Sequence, residues 1–250
     1  MPGAREDPNT HVLLNFFECV YIINLPSRTD RRMEMEQEFL KIGLPIDGEK
    51  VRFFPAIRPD GAAGFTTLGA RGCFLSHLAV LTHARDGGKG SVLILEDDCN
   101  FVGDFCNGLK SLMDSRSTAD WSFVYGGTLN AIAPDKLKYG RLDATQSVLG
   151  AHFLGVNGTV LSELVSYLEA MLTRERGDAL GGPMHVDGAY SWFRNAHPHY
   201  ATYIAVPEIA YQRSSATDIH QRKWFEAFRV VQWVLRHLRQ LKNAMSSLVR

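Results

Sequence analysis

Two short runs, Cys19–Asn24 (CVYIIN) and Ser91–Leu95 (SVLIL), are apolar at consecutive positions rather than at alternate ones. A strand of that kind is buried on both faces, and the usual cover is a layer of helices on each side of a mostly parallel sheet. The chain between them supplies such cover. After the first run, Ser27, Thr29 and Asp30 offer N-cap oxygens, Met35, Phe39 and Ile42 form an apolar stripe, and Gly43 stands where a C-terminal cap glycine belongs. Val51 to Phe54 reads as a second strand, the Pro- and Gly-bearing segment Arg58 to Thr67 as a loop, and residues 69–85 as a helix with Phe74, Leu78 and Leu81 on one side. Further strands are predicted at Ser122–Tyr125, Val148–Val156 and Tyr200–Val206, with helices near 104–113, 160–173 and 186–194. The expected class is therefore an α/β sandwich around a mostly parallel central sheet.

Composition narrows the function. Lys+Arg and Asp+Glu number 27 each in 250 residues, so the basic excess expected of a nucleic-acid binder is missing. The four cysteines, Cys19, Cys73, Cys99 and Cys106, show no CxxC pairing, which fits a reducing, cytoplasmic setting. Residues 1–17 contain acids and two prolines and do not read as a signal peptide, so they are expected to be an N-terminal extension preceding a domain over 18–221. The tail from Arg222 to Arg250 carries seven basic residues against the single acid Glu226. Trp224, Phe225, Phe228, Val231, Leu235, Leu238 and Leu241 recur there at helical steps, predicting a C-terminal amphipathic helix. Such a helix either packs on the core or lies on an anionic membrane surface, peripheral to the inner face of the membrane.

The chemistry is concentrated where Ser91–Leu95 runs into Glu96-Asp97-Asp98. In an extended backbone Glu96 and Asp98 project to one side and Asp97 to the other. Ligands of open parallel sheets bind beyond the carboxyl ends of strands, and hard oxygen donors there suit Mn²⁺ or Mg²⁺ shared with a substrate phosphate. The plainer alternative is that these acids cap the next helix. Cys73 and His77 lie four apart on one helical face with Ser76 beside them; packing explains such a pair more readily than a Cys-His nucleophile does.

Three segments, Tyr21 to Arg32 (YIINLPSRTDRR), Gly69 to His77 (GARGCFLSH) and Leu93 to Asp98 (LILEDD), in this order and spacing, resemble glycosyltransferase family 25, which includes lipooligosaccharide and collagen galactosyltransferases. The resemblance covers about residues 18–100 and thins beyond, where Pro183–Asp187 and Gln212–Ile219 look like weaker late motifs. It implies a GT-A type nucleotide-sugar-binding sandwich and a UDP-sugar donor, usually UDP-galactose. It also implies inverting transfer to a lipooligosaccharide or other glycan acceptor in lipopolysaccharide biosynthesis.

Under that resemblance Glu96 and Asp98 hold Mn²⁺ or Mg²⁺, with His220 as a late third ligand and His199 as its alternative. Asn24, Leu25, Arg28, Arg31, Arg32, Gly72, Ser76 and His77 are expected at the donor, the arginines meeting phosphate or ribose and Asn24 the nucleobase edge. At least one arginine is expected on a solvated helix face, and Asn24 could instead cap its turn. Asp187 is the expected base for the acceptor hydroxyl, with Asp97 in reserve, and Tyr211 and Gln212 are expected near the acceptor. Two rival readings stay open: a sugar-phosphate nucleotidyltransferase and a non-catalytic glycan-binding domain. The first would carry a glycine-rich, lysine-containing loop after the first strand, where Pro26-Ser27-Arg28 stands instead. A dinucleotide-binding oxidoreductase is weaker, because no GxGxxG follows a strand.

Overall fold

The computed structural model describes residues 11–114, 120–130, 132, 137–138 and 140–213. The tail helix expected over 222–250, and with it His220, lies outside the described residues. The elements run α1 (Val12–Phe16), β1 (Cys19–Asn24), α2 (Thr29–Lys41), β2 (Val51–Pro55), α3 (Leu68–Asp86), β3 (Ser91–Glu96), β4 (Cys99–Phe101), α4 (Phe105–Asp114) and β5 (Trp121–Tyr125). They continue β6 (Leu137–Lys138), β7 (Arg141–Leu142), β8 (Phe153–Asn157), α5 (Gly158–Leu172), α6 (Val186–Ala196), β9 (Ala201–Ile204) and β10 (Ala210–Gln212).

Eight strands form one sheet in the order β2-β1-β3-β8-β5-β9-β7-β6, while β10 and β4 form a two-stranded antiparallel ribbon. Strands β2, β1 and β3 are parallel to one another, as are β5 and β9. β8 sits between β3 and β5 antiparallel to both, and β7 is antiparallel to β9. Most strands thus share one direction, with β8 and β7 reversed.

The alternation of β1 shows why both faces had to be covered. Tyr21 and Ile23 enter one core with Phe74 and Leu81 of α3, Leu164 and Leu168 of α5 and Phe193 of α6. Val20 and Ile22 enter the other with Leu13 of α1, Met35 and Phe39 of α2 and Leu109 of α4. Each wholly buried aliphatic or aromatic side chain contributes about 1.5–3 kcal/mol relative to exposure.

The structure adds local detail that the sequence pattern did not carry. Val148–Val156 is not one strand: β8 begins only at Phe153, and Gly150, at φ +90°, turns the chain just before it. Within the extension expected over residues 1–17, the described part, 11–17, packs on the fold, with Leu13 and Phe17 wholly buried. Gly155 of β8 makes room for this segment, since a Cβ there would lie 2.5 Å from the Phe17 ring. Strands β4, β6, β7 and β10, two or three residues each, are too short for any periodicity to announce.

Candidate functional site

The carboxyl ends of β1, β2 and β3 open into a cavity of about 620 Å³, bounded by the first turns of α2 and α3 and the loop after β2. Glu96, Asp97 and Asp98 all line it. The first half of α3 approaches closely because position 72 is glycine: a Cβ there would stand 2.8 Å from the Ile57 carbonyl oxygen. Ser76 holds the same joint, its hydroxyl donating to Gly72 O at 2.6 Å and accepting from Ile57 N at 2.8 Å.

The three acids do not alternate as an extended strand would have them. β3 ends at Glu96, and Asp97 and Asp98 form a turn into β4, so the pleat stops before it can separate them. Arg31 of α2 consequently donates to both, at 2.6 Å to Asp97 Oδ1 and 3.5 Å to Asp98 Oδ2. Asp97 Oδ2 accepts from Asn24 Nδ2 at 2.8 Å, and the same amide donates to Arg28 O at 3.2 Å. Asn24 is therefore the clamp of Asp97 and of the β1–α2 turn, and it is absent from the cavity lining. Glu96 faces α3 instead, with His77 Nε2 3.3 Å and Cys73 Sγ 3.5 Å from its Oε1.

Their electrostatics differ accordingly. Burial first, and then the charge of Glu96, push the Asp98 carboxyl up to about 6. For Glu96 burial is the largest cause and acts upward, but the hydrogen bond and charge of His77, the charge of His152 and the Cys73 hydrogen bond together hold the group below its usual range. Burial followed by the Glu96 charge pushes the Cys73 thiol well up, which makes it a poor nucleophile.

Of the donor-side candidates, Leu25, Arg28, Arg31, Gly72, Ser76 and His77 line the cavity. Arg28 is held at its mouth by Asp30, whose carboxyl its hydrogen bonds bring down to about 2. Arg32 is not brought in: it is exposed, and its guanidinium lies 4.2 Å over the Phe53 ring. Neither is His199, which is exposed and packs against Tyr200 with ring centroids 4.2 Å apart. Asp187, in the first turn of α6, accepts from Gly150 N at 2.9 Å and Gly188 N at 2.7 Å. It stands outside the cavity lining, yet close enough for its charge to act on the Cys73 thiol.

Two contacts were not readable from local pattern. Pairing of β10 with β4 carries Gln212 to the acids, where Nε2 donates to Asp98 Oδ2 at 3.2 Å. Tyr211, its neighbour, is exposed beside Asn100. From α6, the Tyr190 hydroxyl stands 3.0 Å from His77 Nδ1.

The Asp98 Oδ1 atom is buried and has no hydrogen-bond partner among the described residues. A buried carboxylate with an oxygen unpaired, flanked by two other acids and opening on a cavity, fits a hard divalent cation.

Residues 59–145 match the profile of glycosyltransferase family 25 (LPS biosynthesis protein). Human procollagen galactosyltransferase 2 is 33% identical over 129 residues, which are 44% of this chain and 21% of that protein. A glycosyltransferase 25 family member from Drosophila pseudoobscura pseudoobscura is 32% identical over 125 residues, 43% of this chain and 20% of that protein. The chain thus spans about a fifth of the length of these curated relatives. Among solved structures, a glycosyltransferase involved in the glycosylation of the major capsid of PBCV-1 superimposes with a TM-score of 0.47 at 10% identity, covering 84% of this chain and 99% of that one. The profile match runs through both the GARGCFLSH and the LILEDD segments at the cavity wall, so this stretch of the chain is similar to glycosyltransferase family 25.

Proposed function

We propose that the cavity binds a nucleotide-sugar, UDP-galactose by preference, and that the chain transfers the hexose with inversion to a hydroxyl of a lipooligosaccharide or other glycan. The observation that carries this reading is the meeting of Glu96, Asp98, Arg28 and Arg31 in one cavity at the strand ends, with the buried Asp98 Oδ1 unpartnered among the described residues. The likeness to procollagen galactosyltransferase 2 supports galactose as the sugar.

Glu96 and Asp98 would hold Mn²⁺ or Mg²⁺, which when bound supplies positive charge against the departing diphosphate. Arg28, at the mouth, offers guanidinium N–H groups to the phosphates, while Arg31 keeps Asp97 and Asp98 in place. Gly72 and Ser76 keep α3 against the strand ends so that the donor pocket holds its shape. Asp187, beside α3 but off the cavity lining, is the base assigned to the acceptor hydroxyl, with Asp97, which lines the cavity and is held by Arg31 and Asn24, in reserve.

The test is incubation with UDP-sugars, with and without Mn²⁺, reading UDP release and sugar transfer. Turnover of UDP-galactose that needs the ion, and a loss of about 100-fold or more in Glu96→Gln and Asp98→Asn, is the expected result. Failure to bind or turn over any nucleotide-sugar, or unchanged turnover in both variants, refutes it.

A further inference from the structure

We propose that Cys73, His77 and Glu96 form a three-ligand site for a zinc-class divalent ion, distinct in chemistry from the oxygen-only site of Glu96 and Asp98. The ligand atoms Cys73 Sγ, His77 Nε2 and Glu96 Oε1 all lie within 4.8 Å of one another. Their measured separations from Glu96 Oε1 are 3.3 Å for the imidazole nitrogen and 3.5 Å for the sulfur. A tetrahedral zinc ion, with nitrogen and oxygen at ~2.0–2.1 Å and sulfur at ~2.3 Å, places neighbouring donor atoms roughly 3.3–3.6 Å apart. Two of the three separations therefore already match such an ion, and the third, between Cys73 Sγ and His77 Nε2, is within 4.8 Å.

Their mounting is rigid. Cys73 and His77 occupy one face of α3, four residues apart, and Glu96 ends a central strand. His77 is wholly buried, and Tyr190 of α6 meets its Nδ1 at 3.0 Å. With Nε2 on a metal, Nδ1 keeps its proton and donates it to that hydroxyl, the outer contact that fixes the ring of a ligating histidine. All three residues line the cavity, which leaves a fourth position open to solvent or substrate. A thiolate among the donors favours zinc, or its spectroscopic substitute Co²⁺, over Mg²⁺ and Mn²⁺. Loading releases the Cys73 thiol proton to solvent. Because Glu96 belongs to both sets, zinc competes for a carboxylate that the proposed donor ion would use.

The test uses the full chain, stripped with a chelator and titrated with Co²⁺ alone. It needs no turnover and so stands apart from the transferase reading. The site predicts a thiolate-to-cobalt charge-transfer band in the near ultraviolet that saturates at one equivalent and is displaced by Zn²⁺. Cys73→Ser should abolish the band, and Cys106→Ala, which removes the thiol 3.7 Å from His11, should keep it. Zinc-edge absorption of the unaltered chain should show one sulfur at about 2.3 Å, a readout independent of any variant's folding. Absence of the band and of the sulfur in the unaltered chain, or a band that survives Cys73→Ser, overturns the proposal.

Discussion

The Arg31 guanidinium donates to Asp97 Oδ1 at 2.6 Å, and the same nitrogen reaches Asp98 Oδ2 at 3.5 Å. One residue of the first helical turn after β1 therefore restrains the two turn acids that follow β3. Arg31 is 20% exposed and the two carboxylates 10% and 11%, so water screens the cluster only weakly. Arg31→Gln should cost about 2–4 kcal/mol by leaving both carboxylates without their cation. Urea unfolding measures this, and adding Asp97→Asn to that variant should recover part of the loss. A change below about 0.5 kcal/mol would mean that the cluster is held by other contacts.

Asp98 pays for its position in the absence of a cation. Its carboxyl is raised to about 6 by burial and by Glu96, so at pH 7 it ionises in the fold only against that penalty. Asp98→Asn should raise the stability of the metal-free chain by about 1–3 kcal/mol at pH 7. The same substitution should abolish the stabilisation that Mn²⁺ gives the unaltered chain in thermal unfolding. A variant as responsive to Mn²⁺ as the parent would remove Asp98 from the ligand set.

The segment before β1 should be indispensable. Leu13 is wholly buried, and His11 ties the segment to the end of α2, its Nε2 lying 2.7 Å from Ile42 O. Leu13→Ala should destabilise the fold by about 2–5 kcal/mol, through lost burial and the cavity left behind. A denaturation midpoint equal to that of the parent would show residues 11–17 to be an extension after all.

Alkaline stability should depend on one surface pair. The Tyr200 hydroxyl donates to Glu163 Oε2 at 2.6 Å, and that bond raises the tyrosine to about 12. The folded value lies above the unfolded one, near 10, so the contribution is complete below pH ~10 and is lost as pH rises through 12. Glu163 is about half exposed, which limits the effect to under ~1 kcal/mol. Tyr200→Phe, which keeps the ring stacked on Phe193, should flatten stability against pH in that window. An unaltered slope there would show that the pair contributes nothing.

What the sequence by itself determined is whatever a local period or a local junction encodes. The consecutive apolar run of β1 and the stripe of α2 gave both elements within a residue or two, and the acids after Ser91–Leu95 marked the cavity wall. Glu96, Asp97 and Asp98 were legible as a cluster because they follow a buried strand, and Cys73 and His77 as neighbours because four residues make about one helical turn.

Only the tertiary structure decided which partner each of these residues faces. Gln212 reaches Asp98 from 114 residues away, and Tyr190 reaches His77 from 113. Neither contact leaves a trace in local spacing, since the β10–β4 ribbon is three residues long and Tyr190 reads simply as one more core position of α6. The roles of the three acids likewise followed from where β3 stops. A strand continued by two residues would have paired Glu96 with Asp98 on one face; the turn at Asp97-Asp98 instead gave both aspartates to Arg31 and left Glu96 to α3, because a backbone that leaves the pleat no longer alternates its side chains.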